Sequence, residues 1–224
     1  MLCGRSETPC AILAVMPTAA DTPAESPGPG RRRVLSHRQV LEAARAIVME
    51  RGYRGASVAA IASQAGISNG ALYRYFPSKV DLFVEVFRDV CDGEMRAATR
   101  AAAEVEDPLG KLDAMLENFA TRALSNPTLA WALLAEPVDP AVEEVRMEYR
   151  RKYRHAIERL LDRAVAAGTI PPQDTVITAA ALLGGGNEVL AGPLSPMADS
   201  ARDAAVAIAE LRRMTFGAIH AAPR

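Results

Sequence analysis

Ser57, Ser68 and Ser78 each stand immediately ahead of a run with helical apolar spacing, and Gly66 and Pro77 close the first two of those runs. A serine at an N-cap accepts a backbone N–H of the first helical turn. Glycine takes the left-handed C-cap most comfortably, and the residue before a proline is pushed out of helical geometry. The spacing therefore predicts two short helices, "VAAIASQA" and "NGALYRYF", joined by the tight turn "AGIS". A longer helix follows: Ser78 with Asp81 makes a capping-box variant, and Leu82, Phe83, Val86, Phe87 and Val90 carry the apolar stripe on past residue 95. Upstream, Val40, Leu41, Ala44, Ile47 and Val48 form the stripe of a first helix, read from Ser36 and stopping at Gly52.

After Asp107-Pro108 the punctuation repeats. The breaks "SNPT", "EPVDP", "GTIPP" and "GPLSP" separate five further helical runs, at about 108–124, 128–136, 141–167, 173–191 and 199–220. No stretch shows the two-residue alternation and β-branched enrichment of a strand. The fold class expected is all-α, with about nine helices. The proline- and glycine-rich stretch "PTAADTPAESPGPG" cannot offset the entropy of ordering, so residues 1–30 read as a disordered leader. Met16 lies just before it and is the expected start of natural translation.

Several classes are disfavoured. No run approaches the roughly 18 apolar residues of a membrane span, and "AILAVM" is cut off at Pro17. The expectation is a cytoplasmic protein with no membrane partner. Three cysteines at scattered positions suit neither a disulfide framework nor a zinc knuckle. His37, His155 and His220 lack metal-ligand spacing, and the chain has no nucleophile elbow or phosphate loop, so no enzyme, metal or cofactor is expected. Twenty-three arginines against three lysines point to a GC-rich bacterial genome.

The formal charge of −1 hides an asymmetry. Residues 31–79 carry nine cations against Glu42 and Glu50, or +7, which leaves −8 for the rest. Charge alone suits a solvated surface as well as a polyanion; geometry favours the polyanion. Two short helices across a tight turn are the arrangement in which the second helix enters the DNA major groove. Leu72 and Phe76, one turn apart, anchor that helix inward, while Asn69 with Tyr73 and Gly70 with Arg74 form neighbouring rows that face out. Gly70 removes a side chain where a base edge or phosphate comes close. Lys79 opposes the dipole of the next helix, which a bound phosphate would explain, and Ser57 offers a second phosphate position. For Tyr75, packing and phosphate contact stand as equal readings.

Residues 40–87, and above all "SVAAIASQAGISNGALYRYFPSKVDLF", resemble the DNA-binding domain of the tetracycline-repressor (TetR) family. The resemblance implies a homodimer on double-stranded, palindromic operator DNA, with residues 31–80 as the helix-turn-helix domain. Residues 81–224 would then bind a small-molecule effector and dimerise through the last two helices. It also implies that Ser57, Ser68, Asn69, Gly70, Tyr73, Tyr75 and Lys79 contact phosphate and base. Arg74, where that family varies, is the candidate for base readout through its bidentate fork. Arg31, Arg32 and Arg33 would form a mobile arm near the backbone or minor groove. The long leader departs from the family.

In the C-terminal half "PTLAWALLAE" is apolar nearly all round, so it reads as a buried central helix, with Trp131 in the core or, as the weaker alternative, a ligand platform. Phe119, Trp131, Tyr149 and Tyr153 supply aromatic surface where the family has its pocket. Arg122, Arg146 and Arg150 are candidates for an acidic head group, or plain exposed charges. An apolar or amphipathic effector is expected. Gly184, Gly185 and Gly186 inside "ALLGGGNEVLAG" mark either close packing at a dimer interface or a helix break, and Asn187 or Glu188 is a further candidate ligand group. A ligand-responsive repressor leads these readings. An all-helical enzyme and an interaction module without a DNA role are the alternatives.

Overall fold

The structure is a computed structural model in which residues 29–192, 195, 196, 198 and 203–221 are described, with side chains from residue 37. The leader and the Met16 start lie outside the described residues. Nine helices and no strand occur among the described residues: α1 Pro29–Gly55, α2 Val58–Gln64, α3 Asn69–Tyr75, α4 Lys79–Ala103, α5 Pro108–Ser125, α6 Pro127–Leu134, α7 Pro140–Ala166, α8 Thr175–Ala191 and α9 Ala204–His220. None is long and apolar enough to cross a membrane.

The caps act as the sequence predicts. Ser57 Oγ accepts the N–H of Ala60, Ser68 Oγ that of Ala71 and Ser78 Oγ that of Asp81. Gly66 lies in the left-handed region with φ 68°, and Ile67 N–H closes the turn onto Ala62 O at 3.0 Å. Leu72 and Phe76 are fully buried and hold α3 down on α1 and α4.

The start of α1 differs from expectation. The helix begins at Pro29, because proline suits the first turn and "RRRVLS" contains no breaker. Gly52 breaks the helical run where the sequence places its stop, at φ 72°, ψ −177°, and one further short turn follows at 53–55.

A single core cluster crosses residue 80, where the sequence places a domain boundary. It joins Val40, Ile61, Leu72 and Phe83 with Leu129 of α6 and Val142, Val145 and Tyr149 of α7. A second cluster, around Leu112, Leu161, Ala179 and Ile219, binds α5, α7, α8 and α9 together. Helix α4 belongs to both halves, with its first turns in the helix-turn-helix core and its middle beside α5 and α7.

Trp131 is corrected by the structure: it is half-buried and belongs to none of the core clusters. On a helix turning 100° per residue, Leu129 and Ala132 face α1 and α4, while Ala130 and Leu134 face Ala123 and Leu190. Trp131 points at neither. The helix break at Gly184–Gly186 is also excluded, since α8 runs unbroken through them.

Candidate functional site

Ser57, Ser68, Asn69, Gly70, Tyr73 and Arg74 are all exposed, on one surface built from α3 and the cap of α2. Tyr73 stands 48% exposed, and a Cβ added at Gly70 would meet nothing within 4 Å, so the helix presents a bare notch beside it. Arg74 makes no hydrogen bond or ion pair among the described residues, which leaves its five donors free. Tyr75 and Lys79 are half-buried. The Tyr75 ring packs against the core and sits edge-on to His37 at 6.5 Å between centroids. The ammonium of Lys79 lies over the rings of Tyr53 and Phe83, at 5.5 and 5.2 Å, so aromatic faces already compensate part of its conflict with the α4 dipole. Arg31–Arg33 continue the backbone of α1 rather than forming a separate arm, because that helix starts at Pro29. Their side chains are not among those described.

A cavity of about 120 Å³ lies in the middle of the helical half, between α4, α5, α7 and α8. Its wall is largely apolar, with Phe87, Leu116, Phe119, Leu133 and Leu183 among the lining groups. Tyr149, Tyr153, Arg146, Arg150 and Asn187 line it as well. Trp131 and Arg122 do not. Arg122 instead clasps Glu94 on α4 through two hydrogen bonds of 2.5 and 2.6 Å, because that carboxylate faces it across the α4–α5 seam.

The polar groups of the cavity divide into committed and free. Arg146, 6% exposed, donates to the carbonyl oxygens of Ala132, Leu133 and Glu136 and to the carboxylate of Glu143. It therefore caps the C-terminus of α6 and has four of its five donors committed within the protein; burial pulls its pKa below the ordinary arginine value. Tyr149 donates its hydroxyl to Asp92, and burial followed by that hydrogen bond raises its pKa. Arg150 spends one nitrogen on Leu134 O at 2.8 Å, but its Nε is buried without a partner among the described residues. The Tyr153 hydroxyl is buried and unpartnered in the same way, and burial raises its pKa. Both are donors at neutral pH, so an acceptor oxygen entering the cavity would satisfy two orphaned groups. The three glycines face three ways: Gly184 is exposed, a Cβ on Gly185 would lie 3.4 Å from Met214 Cε of α9, and Gly186 lines the cavity.

Sequence reasoning missed the residues that join the two regions. Glu136, 5% exposed in the loop between α6 and α7, accepts the backbone N–H groups of Tyr53 and Arg54 at 2.7 and 2.9 Å. Those two N–H groups are freed by the Gly52 kink, and a Cβ at Gly52 would come within 2.9 Å of the Glu136 carboxylate. Tyr53 donates its hydroxyl to Asp139, which explains why Asp139 stands at the N-cap of α7 without capping it through its side chain. Burial, then the bond to Asp139, raises the Tyr53 pKa. A chain of contacts thus runs from Arg146 in the cavity wall, through the loop, to the end of α1 beside the α2 cap. The proline-bounded loop "EPVDP" was the only signal in the sequence, and it indicated a break rather than a clasp.

The family model described as bacterial regulatory proteins, tetR family, matches residues 40–86, and that of the tetracyclin repressor-like C-terminal domain matches residues 105–191. The nucleoid occlusion factor SlmA of Vibrio cholerae is 26% identical over 160 residues, covering 69% of this chain and 82% of that protein. The HTH-type transcriptional repressor KstR of Mycolicibacterium smegmatis is 32% identical over 96 residues, 43% of this chain and 47% of that protein. In fold, the chain matches the transcriptional regulator FadR of Bacillus subtilis in complex with stearoyl-CoA, with a TM-score of 0.70 at 20% identity, covering 82% of this chain and all of that one.

Proposed function

The chain belongs to the tetR family of bacterial regulatory proteins and is a DNA-binding transcriptional regulator, not an enzyme, and we propose that it is a homodimeric repressor released from a palindromic operator by an apolar or amphipathic effector. The observation that carries the DNA reading is the surface of α3. Leu72 and Phe76 turn their backs on it, so Asn69, Tyr73 and Arg74 stand free beside the bare Gly70. Tyr73 and Lys79 hold phosphates, with Ser57 and Ser68, while Arg74 reads a base. Tyr75 supports the fold of this surface more than it touches DNA.

A dimer through α8 and α9 is supported by apolar side chains left in water there. Ile177 is 64% and Val206 62% exposed, and Gly184 offers a bare patch for a partner helix. The cavity favours an effector with an apolar body and one acceptor group, placed against Arg150 Nε and the Tyr153 hydroxyl. The fold-matched FadR holds stearoyl-CoA, and an acyl chain suits the lining here.

Release would run along two connections. Helix α4 carries Phe87, Cys91 and Glu94 in the cavity wall and Lys79 at its start. The Glu136 clasp ties the α6–α7 loop to the end of α1. A ligand that spreads α4 from α7 or shifts α6 changes the separation of the two α3 helices from the roughly 34–36 Å of one DNA turn. Effector and operator then weaken each other reciprocally. Selecting bound fragments from the source genome tests this. The expected product is an inverted repeat whose half-sites lie about one helical turn apart; fragments without a repeat, or no enrichment, would overturn it.

A further inference from the structure

Tyr53 meets the α6–α7 loop and the start of α4 at once. Its main chain follows the Gly52 kink, and its N–H, with that of Arg54, donates to the Glu136 carboxylate at 2.7 and 2.9 Å. Its hydroxyl donates to Asp139, further along the same loop. Its ring stands edge-on to Phe83, with centroids 4.6 Å apart, and lies under the Lys79 ammonium at 5.5 Å. At 7% exposure the side chain is packed too closely to move independently of these partners.

The two sides of this junction are held differently. On the loop side Tyr53 is fixed, because Glu136 is buried, its carbonyl oxygen accepts from Arg146 at 2.7 Å, and Pro137 and Pro140 restrict the backbone on either side of Val138 and Asp139. A displacement of Arg146 in the cavity wall therefore carries the loop with it, and Tyr53 follows. On the DNA side only aromatic faces hold Lys79, which has no hydrogen bond or ion pair among the described residues and lies 5.2 Å from the Phe83 ring as well. A lysine stem is flexible, and immobilising it on a phosphate costs rotamer entropy. Rings that already hold the ammonium remove part of that cost and leave N–H donors for a phosphate oxygen.

Resting on the reading of Lys79 as a phosphate contact, we propose that Tyr53 is the positioning residue for that contact and passes the state of the α6–α7 loop to it. Moving the loop tilts the Tyr53 ring, releases the ammonium and loosens one subunit's grip on the DNA backbone, without any change in the separation of the two α3 helices. A phosphate contact carries no sequence information, so the effect extends to any duplex.

A double-mutant cycle on the full chain tests this, read by anisotropy titration with its selected operator and with a random-sequence duplex at low salt. Lys79→Ala should weaken binding to both by about tenfold. Tyr53→Leu should weaken both by about fivefold, and Tyr53→Phe, which keeps the ring and loses only the bond to Asp139, by about twofold. Neither Tyr53 variant should add to the loss in the Lys79→Ala background. Asp139→Ala should reproduce Tyr53→Phe and add nothing to it. Tyr53 losses of the same size in the Lys79→Ala background, losses confined to the operator, or additive losses from Asp139→Ala and Tyr53→Phe would overturn the proposal and leave Lys79 as a phosphate contact. Unchanged binding by Lys79→Ala would overturn the phosphate reading and the proposal together.

Discussion

The α3 surface and the central cavity hold similar residue types, arginines and tyrosines, in opposite states. On α3 the polar groups point into solvent and are free: Tyr73 and Arg74 have no partner among the described residues. In the cavity most are committed. Arg146 is spent on four acceptors and Tyr149 on Asp92, and the Glu94 carboxylate in the wall is held from outside by Arg122. A surface that must meet a polyanion keeps its donors hydrated until the phosphates arrive. A cavity in the low-dielectric interior has to satisfy its polar groups in advance, because each unpaired one costs about 1–3 kcal/mol. The few left unpaired, Arg150 Nε and the Tyr153 hydroxyl, are therefore the informative ones.

That contrast can be broken at several points. The largest effect belongs to Tyr73→Ala combined with Lys79→Ala. Loss of two phosphate contacts should lower operator affinity by about 100-fold, with sedimentation showing the dimer intact; anisotropy titration reads it. Arg74→Ala should cost about 1–3 kcal/mol and relax preference at one base pair of each half-site, measured on a panel of single-base operator variants. Glu136→Ala removes a buried carboxylate from two N–H groups and should destabilise the fold by about 2–3 kcal/mol, seen in denaturant unfolding. It should also blunt the response of operator binding to effector. Tyr153→Phe should weaken effector binding by about 1 kcal/mol and leave operator affinity unchanged, which separates the two regions by calorimetry.

The smallest effect is chemical. Burial, aided by the charges of Asp92 and Glu94, pushes the Cys91 thiol up to about 12. A raised thiol pKa means the protonated form persists as pH rises, so at pH 8 Cys91 carries almost no thiolate. In the Cys3→Ser/Cys10→Ser background, alkylation at pH 8 should be slow in the native protein, slower still with effector in the cavity, and fast in denaturant. Native-state labelling as fast as the denatured rate would show the cavity to be open.

The legibility of the sequence follows the same division. The caps Ser57, Ser68 and Ser78, the Gly66 turn and the inward pair Leu72 and Phe76 were readable because each depends on neighbours three or four residues away. The Glu136 clasp was not, since its partners lie 82 and 83 residues distant and the signal is only a glutamate before a proline. Arg146 looked like an exposed helix charge or a ligand group because nothing local marks it as the cap of another helix. Trp131 was misread for a related reason: a helix apolar nearly all round is expected to be buried, but its sequence does not say which of its faces lacks a partner. Tyr75 stayed open in the sequence, and the His37 contact now weights it toward packing.

Hydrogen–deuterium exchange of the chain with and without its selected operator tests the division of labour most directly. DNA should slow exchange at residues 57–60, 68–74 and 78–81, where the caps and the free face of α3 lie, and leave α5 and α7 unchanged. Protection concentrated on α5 or α7 with none on α3 would contradict it.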